Sequence, residues 1–385
     1  MSPPTAVEPP KPVILDSKQF KKAGGDYKGL SPFFDKPTEG PSYQPNTKPL
    51  KASGALDEKY SFSEVSPVIG REYTGAQLRD ILQDQELLRD LAITVSRRGV
   101  VFFRNQALTA EEQKELADKL GVLTGKPSTS KLHIHPRTPG GGFLKPDGSE
   151  IDPEITIISS KLQKSLYENR NRYKENASRG WHADFAFEPI PSTYSVLKII
   201  EKPEVGGDTL WISGNGLYDK LSPSFREYLE TLYATFQGSG IEKAAQGKFD
   251  LFAGPRGAPE NVGTELKAVH PAIRTNPVTG WKSLYAAGAQ FSHFNDITED
   301  ESGALQRYLK SVLIGSHDLQ ARFKWGKNDV AIWDNRSVFH SATNDYFETA
   351  VERLGVRTVG LGERPYFDPK SKSRSDDLRE SGLSV

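Results

Sequence analysis

Apolar positions recur at helical spacing in the first third of the chain. In GAQLRDILQDQELLRDLAITVSRRG, residues 75–99, Leu78, Ile81, Leu82, Leu88 and Leu91 fall on one helical face, and VVFFR after it is a short apolar strand. TAEEQKELADKLG places Thr109 and Glu112 in a capping-box arrangement and closes at Gly121, which predicts a second helix. Beyond residue 150 the pattern changes to short apolar runs. EITIISS, WHADFAF, STYSVLKII, DTLWI, WKSLYAA, DVAIWD and GVRTVGL each read as a strand, separated by Gly, Pro and Asn turns. Two helices interrupt them: SPSFREYLETLYATF, with Ser222 as cap and Pro223 at its first position, and TEDESGALQRYLKSVL. Many short strands with few βαβ alternations predict a mainly β fold with helices, an antiparallel jelly-roll (double-stranded β-helix) core flanked by α-helices. No internal repeat is visible.

Ten of the 26 prolines precede residue 50. Proline lacks an amide donor and fixes φ, so residues 1–60 read as an extension that wraps the domain or stays mobile. The folded domain is expected over 61–366, with a polar tail over 367–385. The cationic stretch 161–180 is expected to form a loop over whatever site the next strand serves.

The 385 residues carry 50 Lys+Arg against 50 Asp+Glu. With no net field, nucleic acid and anionic membranes are not expected partners. There is no cysteine, which excludes disulfides, thiolate metal sites, iron–sulfur clusters and a thiol nucleophile, so any metal must be held by His and carboxylate. No run approaches the ~18 apolar residues of a membrane helix, and the N-terminus has no apolar stretch like a signal peptide's. A soluble cytoplasmic protein is the expectation. Self-association into a homo-oligomer stays open.

Seven histidines remain as candidate chemistry. Residues i and i+2 on a strand share a face, so His182 and Asp184 can reach one ion while Ala183 points away. Alone, that pair reads equally as a buried histidine beside a chance carboxylate. A third ligand changes this: His340, at the end of NDVAIWDNRSVFH, lies where a jelly-roll brings it opposite the pair. Two imidazoles and a carboxylate make a facial set suited to Fe(II), with positions left for substrate and oxygen. The same donors also suit Zn(II). An oxygen-activating iron needs two electrons, commonly from 2-oxoglutarate, whose distal carboxylate calls for a guanidinium. ERLGVRTVG puts Arg353 and Arg357 on one face of a strand with Gly355 between them, where the two groups are expected to flank an open volume.

Together, WHADFAFEPIPSTYSVLKIIEKPEVGGDTLWIS, NDVAIWDNRSVFHSATNDY and the Arg pair resemble the TauD/TfdA family of Fe(II)- and 2-oxoglutarate-dependent dioxygenases over most of residues 90–365. The resemblance implies His182, Asp184 and His340 as iron ligands, Thr209 and Arg353 as 2-oxoglutarate contacts, and Arg357 as anchor of an anionic substrate group. KLHIHP also resembles the family, which implies a substrate contact for His135. The implied cofactors are Fe(II), 2-oxoglutarate and O2. The implied reaction converts 2-oxoglutarate to succinate and carbon dioxide while oxidising a C–H bond of a small anionic organic substrate. An alkyl sulfonate such as taurine is one such substrate, and an amino-acid-derived or other small carboxylate is another. Trp181, Phe185 and Phe187 are expected to wall the site. A jelly-roll protein that holds a metal without turnover stays as the reading from another class, although no ligand is missing.

Overall fold

The computed structural model describes residues 35–36, 48–137, 152–161, 176–246, 249–346 and 351–383. Among these residues lie strands β1 (Phe62–Glu64), β2 (Arg71–Tyr73), β3 (Val100–Phe103), β4 (Thr156–Ser159), β5 (Ser192–Glu201), β6 (Thr209–Ser213), β7 (Tyr233–Gln237), β8 (Lys267–Pro271), β9 (Ile273–Thr275), β10 (Lys282–Leu284), β11 (Phe291–Phe294), β12 (Gln320–Phe323), β13 (Val330–Asp334), β14 (Val338–Ala342) and β15 (Leu354–Leu361). A seven-stranded sheet runs β1-β2-β3-β13-β5-β15-β4, and a three-stranded sheet runs β12-β6-β14. Their neighbours pair antiparallel except β2 with β3.

These two sheets meet across an aromatic layer. Trp211 of β6 packs on Trp333 of β13 at 5.9 Å between ring centroids, and Phe102 of β3 stacks on Phe323 of β12 at 4.1 Å. The large sheet's other face is covered by helices. The chain enters through α1 (Ala55–Lys59) and α2 (Leu78–Leu82), then α3 (Gln85–Arg98) and α4 (Ala110–Leu123), whose Leu88, Leu91, Leu116 and Leu120 share a core with Tyr194 and Val196 of β5. With both faces covered, β5 is buried along most of its length, which is why its sequence reads as a run rather than an alternation.

Several expectations needed correction. The helix expected over 75–99 is two, α2 and α3, because Asp84 turns out and caps α3 by accepting from the Glu86 and Leu87 amides at 3.0 and 3.1 Å. The Thr109/Glu112 capping box at α4 is present. The helix expected over 222–236 stops early. Its helical part, α5 (Pro223–Glu230), has no side-chain cap bond from Ser222, and Tyr233–Gln237 instead forms the middle strand β7 of a β11-β7-β8 sheet. Pairing on both edges overrides helical continuation there. That sheet buries Phe236 with Tyr285 and with Leu309 and Leu313 of α6 (Glu299–Gly315).

The expected domain limits also move. Ser53 and Gly54 donate their amides to Asp90 at 2.7 and 2.9 Å and Leu56 is buried, so the folded body starts well before residue 61. At the other end, the segment expected to be a solvated tail folds into α7 (Arg374–Glu380). Leu378 is buried, and Asp377 accepts from the Trp281 indole at 2.8 Å. Most of the loop expected over 161–180 lies outside the described residues; its end, Ala177–Gly180, is a 3-10 turn.

Candidate metal centre

His340 lies on β14, opposite Trp211 of β6. His182 joins it through an isolated antiparallel bridge. WHADFAF is therefore not a strand as expected. After the bridge the chain turns, with Phe185 in the left-handed region at φ 53°. That turn carries Asp184 back beneath both imidazoles: its Oδ1 lies 3.6 Å from His182 Nε2 and 3.7 Å from His340 Nε2. One donor atom from each of the three residues lies within 4.8 Å of the others.

The protonation states suit a cation. His182 Nδ1 donates to the Gly180 carbonyl at 2.7 Å, which leaves the Nε2 lone pair facing the cluster. Burial, then His182, pushes His340 down to about 3, so its imidazole is neutral. Burial alone would raise the Asp184 carboxyl, but Arg357 and His340 outweigh it and hold it well below the usual carboxylate range. Two imidazoles and one fixed carboxylate are the donor set of a facial Fe(II) site, and these residues fit one.

Asn335, Ser195 and Ser192, which the sequence did not point to, hold Asp184, Ser192 by donating to its carbonyl. Asn335 accepts from the Asp184 amide at 3.0 Å, and Ser195 donates from Oγ to Asp184 Oδ2 at 2.8 Å. The Asn335 side-chain amide in turn donates to Ser195 Oγ and the Thr193 carbonyl. The signal was present in WDNR, a polar turn after an apolar strand, but nothing in it says which member turns inward.

Arg353 and Thr209 come together. Arg353 donates to the Gly207 carbonyl at 2.8 Å and to Thr209 Oγ1 at 3.3 Å, and Trp325 donates to the same hydroxyl at 3.0 Å. With two donors on its oxygen, the Thr209 proton is left for another acceptor. Arg353 is 3% exposed and pairs with no carboxylate among the described residues. Burial pulls its guanidinium below its usual range. A buried cation with no carboxylate in ion-pair reach among the described residues, beside a hydroxyl proton, is a cradle for a carboxylate.

Gly355 does not open a volume between the two arginines. A Cβ there would lie 2.9 Å from Ile199 and 3.0 Å from Leu197, whose side chains fill the space. Arg353 precedes β15, where the pairing with β5 shifts between Leu354 and Gly355, and its guanidinium bonds Gly207 and Thr209 while that of Arg357 bonds Asp184. Arg357 donates from a terminal nitrogen to Asp184 Oδ1 at 2.5 Å, and its Nε is buried without a partner among the described residues.

His135 is buried on the same side. It meets the Phe185 ring edge-on at 5.5 Å, while the Arg357 guanidinium lies 5.2 Å from that ring's centre. The Arg137 amide donates to His135 Nδ1 at 3.1 Å, which puts the imidazole proton on Nε2. Burial, then Arg137, keeps the ring neutral, well below its usual pKa. His133 stacks on Phe185 at 3.8 Å and is held by Glu188, which Arg256 clamps at 2.6 and 2.8 Å. Neither Glu188 nor Arg256 carried a sequence signal. Of the expected wall, Phe185 touches the site, Phe187 packs with Leu266 and Val359, and Trp181 joins the core around Phe236.

A His-Asp-His centre with a separate arginine cradle, on a sheet-rich fold flanked by helices, defines the class of non-haem iron oxygenases. The model of the taurine catabolism dioxygenase TauD, TfdA family matches residues 61–359, and the chain belongs to that family. It is 45% identical to alpha-ketoglutarate-dependent dioxygenase btcD of Neocamarosporium betae, over 86% of this chain and 98% of that protein. It is 32% identical to an alpha-ketoglutarate-dependent sulfonate dioxygenase of Saccharomyces cerevisiae, over 80% of this chain and 68% of that one. A taurine dioxygenase from Burkholderia xenovorans superposes with TM-score 0.60 at 27% identity, covering 81% of this chain and 92% of that one. The chain is a 2-oxoglutarate-dependent dioxygenase, and its cofactors are Fe(II), 2-oxoglutarate and O2. Among the described residues no helix is long and apolar enough to cross a membrane.

Proposed function

We propose that the protein oxidises a C–H bond of a small anionic organic substrate, an alkyl sulfonate, in the cytoplasm, on a double-stranded β-helix. His182, Asp184 and His340 hold the iron; Arg353 and Thr209 hold the distal carboxylate of 2-oxoglutarate. The bound iron, cosubstrate and O2 supply the oxidation, with succinate and carbon dioxide as coproducts. The chain's own contribution is placement and exclusion of water. Ser195 and Asn335 fix the carboxylate ligand, while Phe185 closes one side with an apolar ring.

The observation that carries the substrate class is the grouping of Arg357 and His135 around Phe185, next to Asp184. A guanidinium and a neutral Nε2–H donor there favour an oxyanion. The sulfonate dioxygenase relative supports a sulfonate. The test is succinate release from 2-oxoglutarate with Fe(II) and a panel of alkyl sulfonates, amino acids and their uncharged analogues. Sulfonates should stimulate it most. Equal stimulation by neutral analogues rejects the anionic substrate. Loss of turnover in His182→Ala, Asp184→Ala and His340→Ala, with folding retained, checks the metal site.

A further inference from the structure

Asp184 Oδ1 is asked to serve two cations. It is the carboxylate oxygen that faces both His182 Nε2 and His340 Nε2, and so the one through which the triad would hold a metal ion. It also receives Arg357 at 2.5 Å. The carboxylate cannot turn away, because Ser195 holds Oδ2 and Asn335 holds the backbone amide. Arg357 is 9% exposed and its Nε is buried without a partner among the described residues, so its charge has little water to retreat to. Guanidinium and dication on one buried oxygen repel each other, and the repulsion is strong where water is excluded.

We propose that Arg357 couples metal binding to binding of the substrate's acidic group. Resting on the anionic-substrate reading above, the coupling works through charge. An oxyanion beside Arg357 offsets the positive charge that the metal adds, so metal and anion each tighten the other. His135 assists as a neutral donor, because the Arg137 amide on Nδ1 leaves its proton on Nε2. It adds a hydrogen bond without a third positive charge. Phe185, with Arg357 over its ring and His135 at its edge, keeps both donors on the same side of Asp184.

The test omits 2-oxoglutarate, whose direct chelation would mask the effect. The full chain is titrated calorimetrically with Mn(II), with and without ethanesulfonate or inorganic sulfate, and with each anion at saturating Mn(II). In the parent protein an anion should tighten Mn(II) about fivefold or more, and Mn(II) should tighten that anion by the same factor, since such coupling is reciprocal. Arg357→Gln should bind Mn(II) alone more tightly than the parent and lose the coupling. Arg357→Lys, which keeps the charge, should retain coupling of the same sign, and circular dichroism checks that both variants fold. Coupling unchanged in Arg357→Gln, or Mn(II) affinity indifferent to an anion that binds, overturns the proposal. If sulfate couples but sulfonates neither bind nor stimulate succinate release, the sulfonate reading falls and the coupling stands. If a sulfonate stimulates turnover yet leaves Mn(II) affinity unchanged, the coupling falls and the substrate reading stands. If neither anion binds with or without metal, both fall.

Discussion

His182 and His340 exchange backbone hydrogen bonds as an isolated pair: each donates its amide to the other's carbonyl, at 3.0 and 2.9 Å. Their rings lie 4.2 Å apart between centroids. The backbone separation of the two histidines is therefore set by main-chain pairing, while Trp333 and the Gly180 carbonyl orient their rings. The third ligand has no such tie. Asp184 sits in a turn, and its place depends on the side chains of Asn335, Ser195, Ser192 and Arg357.

Asn335→Ala should accordingly loosen Asp184 while leaving the His182/His340 bridge intact. It strands the Asp184 amide, and the Trp333 indole also loses its acceptor at 3.0 Å. A loss of about 1–3 kcal/mol per stranded buried donor is expected in urea unfolding. Affinity for Mn(II) should fall roughly 10–100-fold, as for other partners that orient a ligand. Unchanged metal affinity would show that Ser195, Ser192 and Arg357 hold Asp184 without Asn335.

Arg353→Leu should raise the 2-oxoglutarate concentration needed for half-maximal succinate release at least tenfold. The charge-assisted contact it removes is worth on the order of 2–4 kcal/mol. Thr209→Val removes a neutral hydrogen bond worth about 1 kcal/mol and should raise the requirement only several-fold. Stability should change little in Arg353→Leu, since the substitution also removes a buried charge that pairs with no carboxylate among the described residues. An Arg353→Leu enzyme with the parent's requirement would place the cosubstrate elsewhere.

How much of this was legible in sequence depended on the range of the interaction. The capping box at Thr109 and the apolar strands were readable because their causes are local. The early stop of the helix at Glu230 was not, because β7 exists through pairing with β8 and β11, which come later in the chain. His182, Asp184 and His340 were legible through spacing and family resemblance, but the expected strand under the first two was wrong. A left-handed Phe185 has no signature when the residue is not glycine. Arg357 lies beside the cluster. Its contact with Asp184 was invisible, since it joins residues 173 positions apart.

The C-terminal segment offers a stability test of the same point. Charge and serine content made 367–385 read as solvated, yet Trp281 is buried at 2% exposure with Asp377 on its indole, and Ser375 donates its amide to Asp219 at 3.0 Å. Deleting residues 371–385 should uncover Trp281 and remove Leu378 from its contacts, a loss of roughly 2–5 kcal/mol by analogy with large-to-small core changes. A lower Tm and red-shifted tryptophan emission are expected. No change in either would return the segment to the solvated class.

Acid should destabilise the fold through histidines that are buried neutral. His270 donates from Nε2 to the carbonyls of Ala186 at 2.9 Å and Glu188 at 3.1 Å. Burial, with a further contribution from Arg274, pushes it down to about 3. Its folded pKa thus lies below the unfolded value of about 6.5, so the unfolded chain binds the extra proton between those limits. The stabilisation is present above pH ~6.5 and is lost as pH falls through the window toward 3, at up to about 1.4 kcal/mol per pH unit for each such histidine. His340, also pushed down to about 3, acts in the same direction. Urea unfolding with chelator present should show stability falling from pH 6.5 to 4.5. His270→Gln, which can still donate to a carbonyl but does not titrate, should have a shallower slope, and a slope equal to the parent's would mean that His270 takes up its proton without unfolding.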